Sequence, residues 1–332
     1  MKSNCLRKMI AILAALSLVL FCTVPANSHL AGFTKSATGP VPEHWPASFS
    51  IPWNLNPKKG SNINGSRNVA DIITASFATW QQAPNAAVTV SRGPNDTSVT
   101  SSSNSPKSEN VICFVCSADF GGDETLAITF TTVVSAAGAP DGHGGVTQFP
   151  GQIIKADIFF NPQTTYSTDG TGGGEDLQTV ATHEIGHLLG LDHSAVVRAV
   201  MFPFAPSVLQ TLSYDDVAGI STLYPKAAPD VAPAVISGTI RMANSGTPVF
   251  GAHVYASSTT AAEPFAGSNI RKTPIGTLTF PDGSYSIQGL PPDSYNVIVE
   301  PLDDPVSASD VPDFDVDVFG KSIQTNFTTR WR

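Results

Sequence analysis

The sequence predicts an α+β domain followed by a small all-β sandwich, and three observations carry that reading. Apolar residues at helical spacing mark helices on either side of a group of strand-like runs. A Pro/Ala stretch at 226–233 then interrupts the chain as a semi-rigid linker. Beyond it only short β runs separated by turn signals occur. At 332 residues the chain exceeds one typical domain and suits two, each able to bury its own core.

The first stretch reads as targeting rather than fold. Lys2, Arg7 and Lys8 flank the start of the apolar run 10–21, and Val24-Pro25-Ala26 or Ala26-Asn27-Ser28 offers small residues for cleavage. Residues 1–28 are therefore expected to be a secretory signal peptide, and the protein to be secreted and extracellular. The run is too short to span a bilayer, and no other approaches that length, so no stable membrane insertion is expected. Cys22 leaves a lipid anchor open, although the bulky Phe21 before it argues against one. Removing 1–28 takes three of the 18 basic residues and none of the 27 acidic ones, leaving a formal charge of −12. Such acidity argues against nucleic acid as a partner.

Val69, Ile72, Ile73, Phe77 and Trp80 predict a helix over 68–82, closed by Pro84. Residues 95–109, rich in Ser, Asn and Thr, read as a surface loop. Strands are expected at 110–115, 126–134 and 153–160, with a Gly/Ala-rich loop at 136–145. After the Gly-rich turn 169–174 a second helix runs over 176–189, its first turn holding Glu175 and Asp176 where the helix dipole favours anions. A third helix covers 214–223. Beyond the linker, strands at 235–242, 252–256, 284–287 and 295–300 make the sandwich of 234–302, while 303–332 is acidic, then strand-like, and has no assigned place. Cys113 and Cys116 are the only cysteines after the signal. They predict a small disulfide loop or two free thiols; a zinc knuckle would need a second pair.

The chemistry sits in His183-Glu184-Ile185-Gly186-His187-Leu188-Leu189-Gly190-Leu191-Asp192-His193 at the end of the second helix. His183 and His187, four apart, leave one helical face a turn apart, which suits two nitrogens on one tetrahedral zinc. Gly190 tolerates the positive φ that turns the chain away and returns His193 as a third ligand. Three protein ligands leave one position for water, as hydrolysis requires, and Glu184 beside it is placed to take that water's proton and pass it to the leaving amine. A lone helical histidine is usually an ordinary surface or core residue. In this composition, however, the five fixed positions would arise by chance on the order of a few times in a million chains. The remaining histidines, His29, His44, His143 and His253, lack such spacing and read as surface residues.

These residues, with Ser194 and Ala199-Val200-Met201-Phe202-Pro203, resemble the matrixin branch of the metzincin zinc peptidases, over about 41–225. The resemblance implies a twisted mixed sheet plus three helices, one catalytic zinc, protein or peptide substrates, and Met201 as an apolar floor beneath the metal. It implies that substrate lies extended along an edge strand near 126–132 and that Phe202 and Pro203 wall the side-chain pocket. Pro203, where astacins carry a tyrosine, argues against a fifth ligand. No cysteine between the signal and Cys113 could serve as a thiol latch, and the segment 156–161 lacks the ligands of a second zinc. Bound calcium is left open. Asp215 and Asp216 match residues that brace the active site. The 234–302 segment resembles the carboxypeptidase regulatory-like, transthyretin-like sandwich, which implies a spacer, a module that contacts extracellular matrix or glycan, or a part that only stabilises the enzyme. A different overall reading follows from it: a surface or matrix-binding protein in which that sandwich carries the main role.

Overall fold

A five-stranded mixed sheet carries the site. The computed structural model describes residues 31–101, 109–122, 124–204, 208–265 and 268–331; the predicted signal peptide lies outside them. In chain order the first part holds β1 (Phe33–Ser36), β2 (Gly39–Pro42), β3 (Ile51–Leu55), β4 (Ile63–Asn64), α1 (Val69–Gln81), β5 (Val90–Asn95), β6 (Val111–Cys113), β7 (Ala127–Val133), β8 (Ile153–Phe160), β9 (Tyr166–Ser167), β10 (Glu175–Asp176), α2 (Leu177–Leu188) and α3 (Tyr214–Leu223). The main sheet has the order β5-β3-β6-β8-β7. Its first three pairings are parallel, and β7 alone runs antiparallel, pairing with β8 from Ala127↔Phe160 onward. One side of β7 is therefore an open edge.

The helices follow from their caps and stripes. Asn68 caps α1 by accepting from Ala70 N, and Ile72, Ile73, Phe77 and Trp80 turn its buried face to the sheet. Trp53 stacks on Phe77 with centroids 4.6 Å apart, and the Trp80 indole N–H donates to the Thr182 carbonyl of α2 at 2.8 Å. That bond fixes α1 against the helix that carries His183 and His187. Asp176 caps α2 through Thr179 N, and a reciprocal Ser213–Asp216 box starts α3. Cys113 and Cys116 are bonded as a disulfide, with Cα atoms 5.7 Å apart, in a small buried cluster with Val99, Val111 and Phe159.

The second part holds β11 (Ala234–Thr239), β12 (His253–Ser258), β13 (Ile275–Leu278), β14 (Ser284–Leu290), β15 (Tyr295–Glu300), α4 (Val316–Phe319) and β16 (Arg330–Trp331). These strands form two antiparallel sheets, β11-β14 and β13-β12-β15-β16. They dock on α3: a Cβ on Gly289 would lie 2.8 Å from the Ala218 Cα, so only glycine permits this approach. Val254, Ile275, Ile287 and Leu290 share one buried cluster with Val217 and Ile220 of α3.

Two expectations are corrected. His253 is 4% exposed rather than at the surface: Val254 and Ala256 take the core face of β12, and on the opposite face Tyr255, Gly276 and Glu300 cover the His253 ring, whose Nδ1 meets Glu300 Oε1 at 3.0 Å. The tail 303–332 is strand only at β16; before that it forms a 3-10 turn at Ala308–Asp310 and the short α4. Phe314 and Phe319 join Phe33, Phe250 and Phe280 in an aromatic cluster, which seats the tail on the β1–β2 hairpin. Among the described residues no helix is long and apolar enough to cross a membrane.

Candidate functional site

Helix α2 lies under the open edge of β7, and the cleft between them has a volume of about 690 Å³. His183 and His187 project from the last turns of α2, and His193 returns from the turn beyond. Each has its Nδ1 on a backbone carbonyl: His183 on Val200 at 2.7 Å, His187 on Leu191 at 2.7 Å, and His193 on Asp310 at 2.5 Å. A carbonyl oxygen only accepts, so each Nδ1 carries the proton and each Nε2 presents a lone pair. Burial pushes all three imidazoles below their ordinary range, His183 to about 3, which keeps them in the neutral, ligating form.

The donor set fits one zinc. The ligand atoms of the three histidines lie within 4.8 Å of one another, the only such group among the described residues. The Nε2 atoms of His183 and His187 face each other at 3.1 Å. Two lone pairs at that distance with no proton between them repel, and a shared cation removes the repulsion. Tetrahedral ligands at 2.0–2.1 Å from zinc lie roughly 3.3 Å apart, close to the spacing seen. Asp141 and His143 stand elsewhere: the His143 ring meets the Ile154 carbonyl at 3.1 Å.

The glycines of the motif have steric reasons. A Cβ on Gly186 would overlap the Met201 sulfur and lie 2.9 Å from Trp80 Cζ2. Met201, fully buried, therefore seats directly against the helix between the first two histidines. Gly190 has φ +96°, and a Cβ there would overlap the Glu43 carbonyl oxygen. Its left-handed conformation turns the Leu191 carbonyl back onto His187. Asp215 and Asp216, both fully buried, hold the segment that follows. Asp216 accepts from Val200 N at 2.9 Å, Met201 N at 3.1 Å and Ser213 N at 2.7 Å. Asp215 accepts from Ser194 Oγ at 2.6 Å and Gly276 N at 2.8 Å, tying the turn after His193 to β13.

Glu184, 5% exposed, lines the same cleft, and its Oε2 accepts from Thr129 Oγ1 of β7 at 2.6 Å. Burial raises its carboxyl to about 7, opposed by the Thr129 bond. The cleft also touches Phe202, Pro203 and Leu209, the first and last of them buried. Sequence reasoning missed Thr129 and the Asp310 carbonyl. A threonine on a half-buried strand and a backbone carbonyl in a tail carry no pattern of their own.

A mixed sheet with an antiparallel edge strand, a helix bearing two of three histidines and a methionine seated beneath them define a metzincin. Residues 44–225 match the family model described as Matrixin, and the chain belongs to that family. It is 42% identical over 86 residues to a hatching enzyme of Paracentrotus lividus, covering 25% of this chain and 14% of that protein. It is 39% identical over 120 residues to stromelysin-1 of Mus musculus, covering 33% and 25%. Karilysin of Tannerella forsythia is 49% identical over 53 residues, covering 16% and 11%. The chain thus spans a quarter or less of the length of these relatives.

Proposed function

We propose that this chain is a secreted zinc-dependent endopeptidase, with zinc held by His183, His187 and His193 and with Glu184 as general base. The observation that carries the reading is the set of three imidazoles tautomerically fixed by carbonyls beside the buried Glu184 carboxylate. Zinc bound there supplies Lewis acidity, polarising the scissile carbonyl and acidifying a water. Glu184 would take that water's proton and return it to the leaving amine, a task suited to a carboxylate that lines the cleft and is held there by Thr129. The backbone of β7 offers a free edge along the cleft, where Leu126, Ile128 and Thr129 lie, so an extended peptide adds to it as a further strand. Phe202, Pro203 and Leu209 then receive an apolar side chain.

Secretion rests on the signal reading of 1–28. The two C-terminal sheets are consistent with a transthyretin-like sandwich, for which we propose contact with extracellular matrix or glycan. The test of the main reading is Glu184→Gln in full-length protein. It should bind zinc as wild type does and leave a peptide library uncut; cleavage at the wild-type rate would remove Glu184 from the mechanism.

A further inference from the structure

His183 and His187 are held by the helix that bears them, and their Nδ1 partners, Val200 and Leu191, lie 17 and four residues away in the chain. His193 is different. It stands on the turn beyond Gly190, and its Nδ1 partner is the carbonyl of Asp310, 117 residues further along. The third imidazole therefore depends on the tail for its proton placement.

The tail is fastened on both sides of that carbonyl. Within the turn, Asp310 Oδ2 accepts from Ser307 N at 2.8 Å and from Ser307 Oγ at 2.7 Å, while Asp310 N donates to Ser307 O at 3.1 Å. Before the turn Leu302 and Val306 are buried, and after it Val311 and Phe314 are buried in the aromatic cluster around Phe33. Asp313 accepts from Phe33 N at 3.3 Å. Asp310, Pro312 and Asp313 all line the cleft.

We propose that the tail segment 302–314 is a working part of the metal centre, with the Asp310 carbonyl as the positioning group for His193. Neutral imidazole has one N–H and two tautomers, and only the Nδ1–H form shows a lone pair at Nε2. An acceptor at Nδ1 selects that form, fixes the ring's rotation and raises the basicity of the ligating nitrogen. Without the tail His193 would be free to rotate and to protonate at Nε2, and the centre would fall back on two well-held ligands. The inference rests on the zinc reading given above and extends it to a segment outside the family match.

The competing account is that the tail only covers apolar surface. Asp310→Ala in the full chain separates the two, because it removes the oxygen that holds the turn and leaves every apolar contact of the tail in place. Chelator competition should show zinc held about 10- to 100-fold more weakly, as for other lost partners of ligating histidines. Only one carboxylate oxygen is used, so Asp310→Asn should restore the affinity to within a few fold. With Co²⁺ in place of zinc, the absorption bands should change in Asp310→Ala and return in Asp310→Asn. Melting of the metal-free proteins should be similar in both variants. Should Asp310→Ala fold poorly, Ser307→Ala removes one of the two donors and should give an intermediate loss. Wild-type zinc affinity in Asp310→Ala, or equal losses in the Ala and Asn variants, would overturn the proposal. A chain that holds zinc through its tail yet cuts no peptide would instead sink the endopeptidase reading alone.

Discussion

Thr129 Oγ1 donates to Glu184 Oε2 at 2.6 Å, so the edge strand and the histidine-bearing helix are joined at the carboxylate itself. The open-edged strand thus orients the carboxylate proposed as general base. Thr129→Val keeps the shape and removes the donor. We expect kcat to fall about 10-fold with zinc content unchanged, and Thr129→Ser to stay near wild type. Steady-state kinetics beside a metal assay checks this; an unaffected Val variant would show the hydroxyl to be idle.

Gly186→Ala tests the seat of Met201. The added methyl would meet the Met201 sulfur and Trp80, neither of which has room to move in a fully buried site. Overpacking of this kind costs about 1–3 kcal/mol. Chemical denaturation should show that loss, accompanied by weaker zinc binding as the methionine pushes on the histidines.

Asp216→Asn replaces an acceptor of four donors by a group with only one accepting atom. Val200 N, Met201 N and the N and Oγ of Ser213 all converge on this carboxylate, and the new amide N–H would point at some of them. A stability loss of about 3 kcal/mol is expected from breaking bonds to a buried charge. Denaturant midpoints give the answer, and a change below about 1 kcal/mol would contradict it.

Glu43 and Asp313 make a pH prediction. Burial, then the Asp313 charge, raises Glu43 from 4.5 to about 8; burial raises Asp313 from 3.8 to about 6. The folded chain keeps protons that the unfolded chain has released, so this pair costs stability as pH rises from about 4 to 8. Glu43→Gln removes the Glu43 share of that penalty. It should be more favourable at pH 8.5 than at pH 5 relative to wild type, in paired denaturation curves. A pH-independent difference would refute it.

Periodicity found α1, α2 and α3 to within a residue or so, because each buries one face against a core and ends in a recognisable cap. The histidine spacing foretold the grouping of His183, His187 and His193, because a helix fixes the first two locally. Other features were beyond reach. The parallel strand β5, Val90-Ser91-Arg92-Gly93-Pro94-Asn95, has little apolar alternation, since its partner β3 rather than its own side chains holds it at the sheet edge. The hairpin β1–β2 contains Gly39, Pro40 and Pro42 and reads as a turn. His253 carries no mark of burial in the sequence, because what covers its face of β12 comes largely from other strands. The tail's role passes through a backbone carbonyl, which every residue possesses.

The distance in sequence between His193 and Asp310 also orders events in time. A chain made from its N-terminus acquires all three imidazoles long before it acquires the carbonyl that orients the last of them. Through that interval the nascent molecule carries a full set of ligands but an unfinished centre. On the proposal above, the orientation of His193 is thus completed only when the tail has been made and has folded back onto Phe33, a delay written into chain order.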